Sequence, residues 1–279
     1  SLSASERYRL SIQTNDGSHY QSEFVRTIQT PPIDSISWQQ PADIFFFVNT
    51  HDPGGNARFY RWDFVETWEY TAQLLTPWHL ENNLLTVAND ETQTSKCWIS
   101  QFSKDIVLAN SAALGEDRIS MQPLHQMLNA DPRLNYRYSL LVNQYALTPE
   151  AYNYWQIVKK NSQELGTLFD QMPSQLIGNL VCLDRPSELV LGYVSATAVQ
   201  SMRLFVDRRE LNDWPQTFPG EDCKIVYFDY NPFLLPVFNY IDDSYTVYYF
   251  VSGGPAVMGK RTCLDCRLSG GSNQKPSFW

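Results

Sequence analysis

A basic surface is missing from this sequence: 30 Asp and Glu stand against 21 Lys and Arg, a formal net charge of −9. Nucleic-acid binding needs cations gathered against phosphate, so nucleic acid is not an expected partner. Long apolar runs are missing too. No stretch approaches the roughly 20 residues that a membrane-crossing helix requires, and no signal peptide begins the chain. Histidine is scarce, and His19, His51, His79 and His125 are scattered without the His-x-x-x-His spacing of a metal-binding helix. No cofactor or metal is therefore expected. Ser195 lacks the Gly-x-Ser-x-Gly setting of a hydrolase elbow. The adjacent acids Glu221-Asp222 and Asp242-Asp243 stand in turn-like sequence and read as solvated loop charge. His51-Asp52, the one local acid–imidazole pair, reads as a surface loop. No catalytic constellation emerges.

What is plentiful is aromatic. The chain holds 16 Tyr, 15 Phe and 8 Trp, together with 16 Pro and many short Val, Ile and Thr runs, a composition that favours strands over helices. Tyr8 to Thr14 alternates apolar and polar residues, Asn15-Asp16-Gly17 supplies a turn, and Tyr20 to Ile28 returns, which predicts a hairpin. Thr30-Pro31-Pro32 then removes ladder donors and predicts a boundary. Strands are expected at Ile33 to Trp38 and Ile44 to Asn49. In Phe59 to Tyr70 the alternation puts Tyr60, Trp62, Phe64, Glu66 and Trp68 on one face.

Residues 79 to 95, polar and Asn-rich, read as a long connecting loop, and Leu124 to Leu128 as one helical turn. Strands are also predicted at Trp98 to Phe102, Asp105 to Leu108, Arg137 to Leu147, Leu180 to Cys182, Val190 to Ala196, Met202 to Asp207, Ile225 to Phe228 and Tyr245 to Val251. One helix is well marked. Thr148 suits the N-cap, Pro149 the first position and Glu150 the dipole, while Gly166 can end the run. Ala151, Tyr152, Trp155, Ile157 and Val158 form a stripe on it that should pack on a sheet. The class expected is mainly β, a β-sandwich of immunoglobulin-like architecture with a helical insertion near 149–165.

Five cysteines, Cys97, Cys182, Cys223, Cys263 and Cys266, allow at most two disulfides. Free thiols and a zinc site from Cys263, Cys266 and two distant cysteines are the alternatives. The tail Thr262 to Trp279 carries two of these cysteines, a Gly-Gly pair and a closing Phe-Trp, and is expected to dock on the body.

Several stretches together resemble the domain-of-unknown-function family numbered 4249, found in outer-membrane lipoproteins of Bacteroidota. They are Thr30-Pro31-Pro32-Ile33-Asp34, Tyr60-Arg61-Trp62, Tyr138 to Tyr145, Gly166 to Asp170, Gly192-Tyr193 and the tail from Cys263 to Trp279. The resemblance implies a parent protein with a lipid-bearing cysteine and an N-terminal β-sandwich, of which this chain is expected to lack the cysteine and most of the sandwich. On that footing residues 1–32 are the terminal hairpin of a largely absent sandwich, and 33–279 the main β domain. The opening Ser1 to Ser5, followed at once by a strand-like run, likewise predicts a start inside a domain.

Such lipoproteins are typically encoded beside TonB-dependent outer-membrane transporters. The resemblance thus implies a surface or periplasmic outer-membrane location, membrane contact only through that lipid, and a role in nutrient capture or import. It brings no catalytic residues. An envelope location favours disulfides: Cys223 with Cys263 or Cys266, and Cys97 with Cys182, the connectivity staying open. For a glycan or peptide ligand, Trp78 and Trp214, both in loop-like sequence, are the candidate binding residues. The function expected is a non-enzymatic accessory module. An assembly subunit of an envelope complex and a hydrolase with a scattered site are the alternatives.

Overall fold

Residues that alternate between apolar and polar side chains become strands here nearly throughout. The structure, a computed structural model, describes residues 3, 6–81, 84–163, 176–218, 223–228, 244–252 and 255–279. Strands β1 (Arg7–Tyr8), β2 (Ser11–Gln13), β3 (His19–Ser22) and β4 (Val25–Ile28) precede the Pro-Pro step. After it come β5 (Ile33–Gln39), β6 (Ile44–His51), β7 (Phe59–Thr71), β8 (Trp78–Glu81), β9 (Leu84–Val87) and β10 (Lys96–Phe102). Strands β11 (Val107–Asn110), β12 (Arg118–Met127) and β13 (Arg137–Leu147) lead to helix α1 (Pro149–Gln163). The chain continues through β14 (Leu180–Cys182), β15 (Ala196–Thr197), β16 (Val199–Asp207), β17 (Ile225–Phe228), β18 (Tyr245–Phe250), β19 (Ala256–Lys260) and the short α2 (Arg261–Leu264).

The chain forms two compact units, the first from Ser1–Val65, Phe102–Met127 and Leu141–Leu204, the second from Glu66–Gln101, Leu128–Leu140 and Phe205–Trp279. Unit 1 is built as a β-sandwich. One layer is the antiparallel sheet β12-β6-β5. The other holds β11, the first part of β7, the end of β13 and the start of β16. Alternate residues Ile44, Phe46, Val48 and Thr50 of β6 are buried, as are Tyr60, Trp62 and Phe64 of β7. Each large apolar side chain so buried contributes about 1.5–3 kcal/mol. The ring of His125 lies 5.1 Å from that of Phe64 and 6.2 Å from that of Phe46.

Helix α1 begins where its cap signals place it, with Thr148 Oγ1 accepting from the Ala151 amide at 3.1 Å. Its Ala151 and Tyr152 are buried with Leu147 and pack against Phe59, Leu108, Tyr145, Trp155 and Tyr193. The expected end at Gly166, and the Gly166–Ser174 loop, lie outside the described residues.

The first residues form a hairpin, β2 against β3, turned at Gly17 with φ 88°. They also pair within the chain, β14 joining β3 and β15 running parallel to β4. The Pro-Pro step is not where the two units divide. Ala146 N donates to Thr30 Oγ1 at 2.9 Å, and Thr50 Oγ1 to the Pro32 carbonyl at 3.0 Å. Gln144, fully buried, accepts from Trp62 Nε1 at 2.8 Å and donates through Nε2 to the Pro31 carbonyl at 2.8 Å and Thr50 Oγ1 at 2.9 Å. One amide thus satisfies the polar atoms of three separate segments.

In unit 2, β10 is followed by the remainder of β7, β13 and β16. A second sheet runs β17-β19-β18, and β8 pairs with β9. Glu66, 4% exposed, accepts from Arg133 Nη1 at 2.7 Å and from Tyr138 Oη at 2.8 Å. Arg133 also holds Asp131 through Nε and Nη2. Burial, with the Glu66 carboxylate beside it, pushes the Tyr138 hydroxyl well above its ordinary range. The group is a buried charge network in which each charge is paired.

Four sequence expectations change. Residues 79 to 95 are not a continuous loop, because Trp78 to Glu81 and Leu84 to Val87 pair in register from Trp78↔Val87 to Glu81↔Leu84. Leu124 to Leu128 is not helical: Leu124 to Met127 end β12, where register shifts between Ile119/Gln122 and Pro123/His125 break the alternation and bring Leu124 and Met127, three apart, to buried positions. Of Val190 to Ala196 only Ala196 is in a strand. There Asn179 replaces a ladder partner, its amide donating to the Val194 carbonyl and accepting from the Val194 N–H, both at 2.8 Å. Finally, β19 is an unanticipated strand between β17 and β18.

The Gln144→Leu substitution leaves the Trp62 indole N–H and the Pro31 carbonyl without their partner in a dry interior. We expect a loss of about 2–4 kcal/mol in urea unfolding. A loss below about 0.5 kcal/mol, the range of neutral surface changes, would show that the amide is not a structural hub.

Candidate functional site

The tail of unit 2 is secured before it can shape anything. Cys97 on β10 is bonded to Cys266, and Cys223 to Cys263. Trp98 and Ser272 exchange backbone hydrogen bonds at 2.8 and 2.9 Å. Asn273 Nδ2 donates to the carbonyls of Glu91 and Gln93 at 2.9 and 3.1 Å. The Gly-Gly pair has two distinct reasons. Gly270 has φ 85° and ends the 3₁₀ turn Cys266–Ser269, while a Cβ on Gly271 would lie 2.6 Å from the Cys97 Cβ.

The last residue then closes the aromatic contacts. The Trp279 ring stands edge-on to Trp98 at 6.5 Å and to Phe205 at 5.8 Å. Arg137 Cζ lies 4.2 Å above the Phe205 ring and 5.5 Å from that of Trp279. A cation over an aromatic face contributes about 0.5–2 kcal/mol, so the tryptophan is gripped by charge as well as by packing. The expected docked tail is observed.

These residues border an open cleft of about 1130 Å³, and every residue lining it belongs to unit 2. Trp98, Tyr136 and Trp279 supply its aromatic surface. Its charged residues are Lys96, Arg137, Arg208, Arg209 and Lys275 against Glu69, Asp90, Glu91 and Asp207. Two pairs are internally matched: Lys96 Nζ meets Glu69 Oε1 at 2.8 Å, and Arg209 grips Asp207 through Nε at 2.8 Å and Nη2 at 3.0 Å. Asp207 also accepts from the Arg209 N–H at 3.0 Å and caps the turn Arg208–Glu210. The Arg209 guanidinium, that backbone N–H and the more distant Arg137 hold the Asp207 carboxyl down at about 2.

Arg208 donates through Nη2 to the Trp214 carbonyl at 2.8 Å, and its backbone N–H to the Tyr136 carbonyl at 2.8 Å. Its Nη1, and the Trp98 Nε1, are buried without a hydrogen-bond partner among the described residues. An unmade buried hydrogen bond costs about 1–3 kcal/mol, which makes both atoms places where an added acceptor would be favourable. The arrangement can bind: rings for apolar contact and guanidinium groups for acceptors.

The two tryptophans read from the sequence as candidate ligand contacts are elsewhere. Trp214 is only 4% exposed, because its Nε1 finds the Asp131 carbonyl at 3.3 Å and can be buried without an unpaired donor. Trp78 is partly buried, edge-on to Phe250 at 5.4 Å, and lines a hollow of about 50 Å³, too small for a sugar or peptide residue. The cysteine pairing corrects the expectation too. Cys223 takes Cys263, one of its two expected partners, whereas Cys97 bonds to Cys266 and leaves Cys182 a buried thiol. Cys182 pairs with Tyr20 on the β3–β14 ladder of unit 1, whereas Cys97 is in unit 2. Both cysteines of the Cys-x-x-Cys are spent in disulfides, which overturns the zinc alternative.

His51 does not pair with Asp52. Its Nδ1 lies 2.8 Å from the Asp34 carboxylate, while Asp52 accepts from the N–H groups of Gly54, Asn56 and Ala57. Both acid pairs, Glu221-Asp222 and Asp242-Asp243, lie outside the described residues. Of the cleft residues, sequence reasoning raised Trp279 as the end of a docked tail, and did not mark Trp98, Arg137, Asp207, Arg208 or Arg209 as binding residues. The run Asp207-Arg208-Arg209-Glu210 is itself a capping-box pattern, the one local signal that could have marked the turn.

Two measurements test this geometry. Replacing Cys97 and Cys266 together by Ser removes a cross-link spanning 169 residues and should lower stability by about 2–5 kcal/mol. It should also speed hydrogen exchange at Ser272 and shift tryptophan fluorescence to the red; unchanged exchange there would mean that the disulfide does not hold the tail. For Asp207, a carboxyl resonance titrating near pH 2 should return toward about 3.9 in Arg209→Gln. Because the folded value is depressed, its stabilising contribution is complete above the unfolded value and is lost as pH falls through about 2. A midpoint near 3.9 in the parent protein would refute the ion pair.

Among known proteins, the sequence profile of a family described as "Domain of unknown function (DUF4249)" aligns with residues 1–203. No curated protein and no solved structure matches the chain. The match ends before Asp207, Arg208, Arg209 and the tail, so a large part of the cleft lies beyond it.

Proposed function

The chain belongs to the DUF4249 family, and from that premise we propose that it is a non-enzymatic outer-membrane lipoprotein module that captures a glycan or peptide for a TonB-dependent transporter. The carrying observation is the aromatic and charged cleft of unit 2, whose last ring is held in place by a disulfide-anchored tail. Its volume, about 1130 Å³, exceeds the roughly 300–1,000 Å³ usual for drug-sized ligands, so it suits several linked sugar or amino-acid residues. Two disulfides in one chain support an oxidising compartment such as the bacterial envelope. The transporter and the lipid anchor, which would belong to the parent protein, come from the family resemblance.

A second reading, an assembly subunit of an envelope complex, is favoured by one observation. Strands β17 and β18, which flank β19 in one sheet, expose Ile225, Val226 and Tyr227 on the first and Tyr249 and Phe250 on the second, at 36–60%. Apolar side chains gathered on one small sheet suit a protein partner.

Affinity isolation of the full-length lipid-anchored protein from native outer membranes, followed by mass spectrometry, separates the two. Recovery of a TonB-dependent transporter in equal amount is the expected outcome. Recovery of other envelope proteins with no transporter would replace the capture reading with the subunit reading.

A further inference from the structure

The charge of the cleft runs against the charge of the chain. The protein as a whole is at −9, yet the cleft gathers five cations against four carboxylates. Of those carboxylates, Glu69 and Asp207 are already matched to Lys96 and Arg209, and Asp90 and Glu91 are exposed. That leaves three cations against two carboxylates, with Lys275 as exposed as those two acids. Among the described residues Arg137 makes no ion pair and lies over two aromatic rings, Arg208 has a buried Nη1 with no acceptor, and Lys275 is exposed and, like Trp279, lines the cleft.

A cation held partly out of water over rings, as Arg137 is, favours an anion. The rings in turn favour a ligand with a flat apolar face next to its charge. A pyranose ring bearing a carboxylate has both: axial C–H groups to lie on Trp279 or Tyr136, and a planar carboxylate to meet a guanidinium fork. A neutral sugar would leave the guanidinium groups unmatched, and an acidic peptide would leave the rings without a flat partner at each repeat. The cleft is open and large enough for more than one such ring.

We propose that the unit 2 cleft binds an acidic oligosaccharide built of uronic-acid residues, with Arg137, Arg208 and Lys275 as carboxylate partners and Trp279 as the stacking ring. The inference rests on the capture reading above and narrows it.

Isothermal titration of the full chain with trigalacturonate, galactotriose and a tri-aspartate peptide tests it. Trigalacturonate should bind at least tenfold more tightly than galactotriose and weaken at high salt, since screening acts on exposed charges. Arg137→Gln should weaken it about tenfold or more, the usual consequence of removing a charge-assisted hydrogen bond. Because Arg137 also packs on Phe205 and Trp279, Lys275→Gln, at an exposed position, serves as the variant that leaves folding untouched; it should weaken binding severalfold. Equal binding of galactotriose would overturn the acidic inference and leave capture standing. Tighter binding of tri-aspartate would overturn the sugar class, and binding of none of the three would overturn both the inference and capture by this cleft.

Discussion

The inward face of β7 carries polar atoms that cannot be buried alone, and much of the structure answers that constraint. Tyr60 donates to Asp117 at 2.7 Å, Trp62 to Gln144 at 2.8 Å, and Glu66 accepts from Arg133 and Tyr138. Each of these partners comes from a distant part of the sequence, so satisfying the strand's side chains recruits β12's approach, β13 and the turn at Pro132–Leu134. Burial and the Asp117 carboxylate push the Tyr60 hydroxyl far above its ordinary value, which keeps it a donor at every accessible pH. A strand of aromatics without these partners would be hydrophobic enough to bury and too polar to stay buried.

The same logic explains why the tail can carry function. A chain end normally frays. Here it is bonded at Cys266, paired at Ser272, anchored at Asn273 and closed by rings at Trp279. A cleft bordered by such a segment is preorganised, and a ligand would not have to order its own wall. The internally matched pairs, Lys96 with Glu69 and Arg209 with Asp207, add fixed charge without free valence. What remains for a ligand is the set of groups that are not matched. That division between structural and available charge is the physical basis for reading the cleft as a binding site.

The limits of local reading show at particular residues. Trp214-Pro215 has every local mark of an exposed loop, yet Trp214 is buried because a carbonyl 83 positions away accepts its N–H. Leu124 and Met127 mimic a helical turn because a bulged strand shifts the alternation. Val190 to Ser195 has strand-like composition, but the Asn179 side chain takes the backbone groups of Val194 that a neighbouring strand would have used. In each case a long-range hydrogen bond or register shift overrode a correct local propensity.

By itself the sequence determined the mainly β class, the long alternating strands β7 and β13, the start of α1 at Thr148 and the docking of the tail. These follow from side-chain period, cap chemistry and terminal aromatics, all of which act within a few residues. Tertiary structure alone decided that Cys97 joins Cys266 and leaves Cys182 free, that the inward polar groups of β7 are met, and that Arg137, Arg208 and Trp279 converge on one cleft. The physical reason is separation: the partners lie tens to nearly two hundred residues apart, and no local pattern encodes which of several chemically equivalent groups the folded chain will bring together.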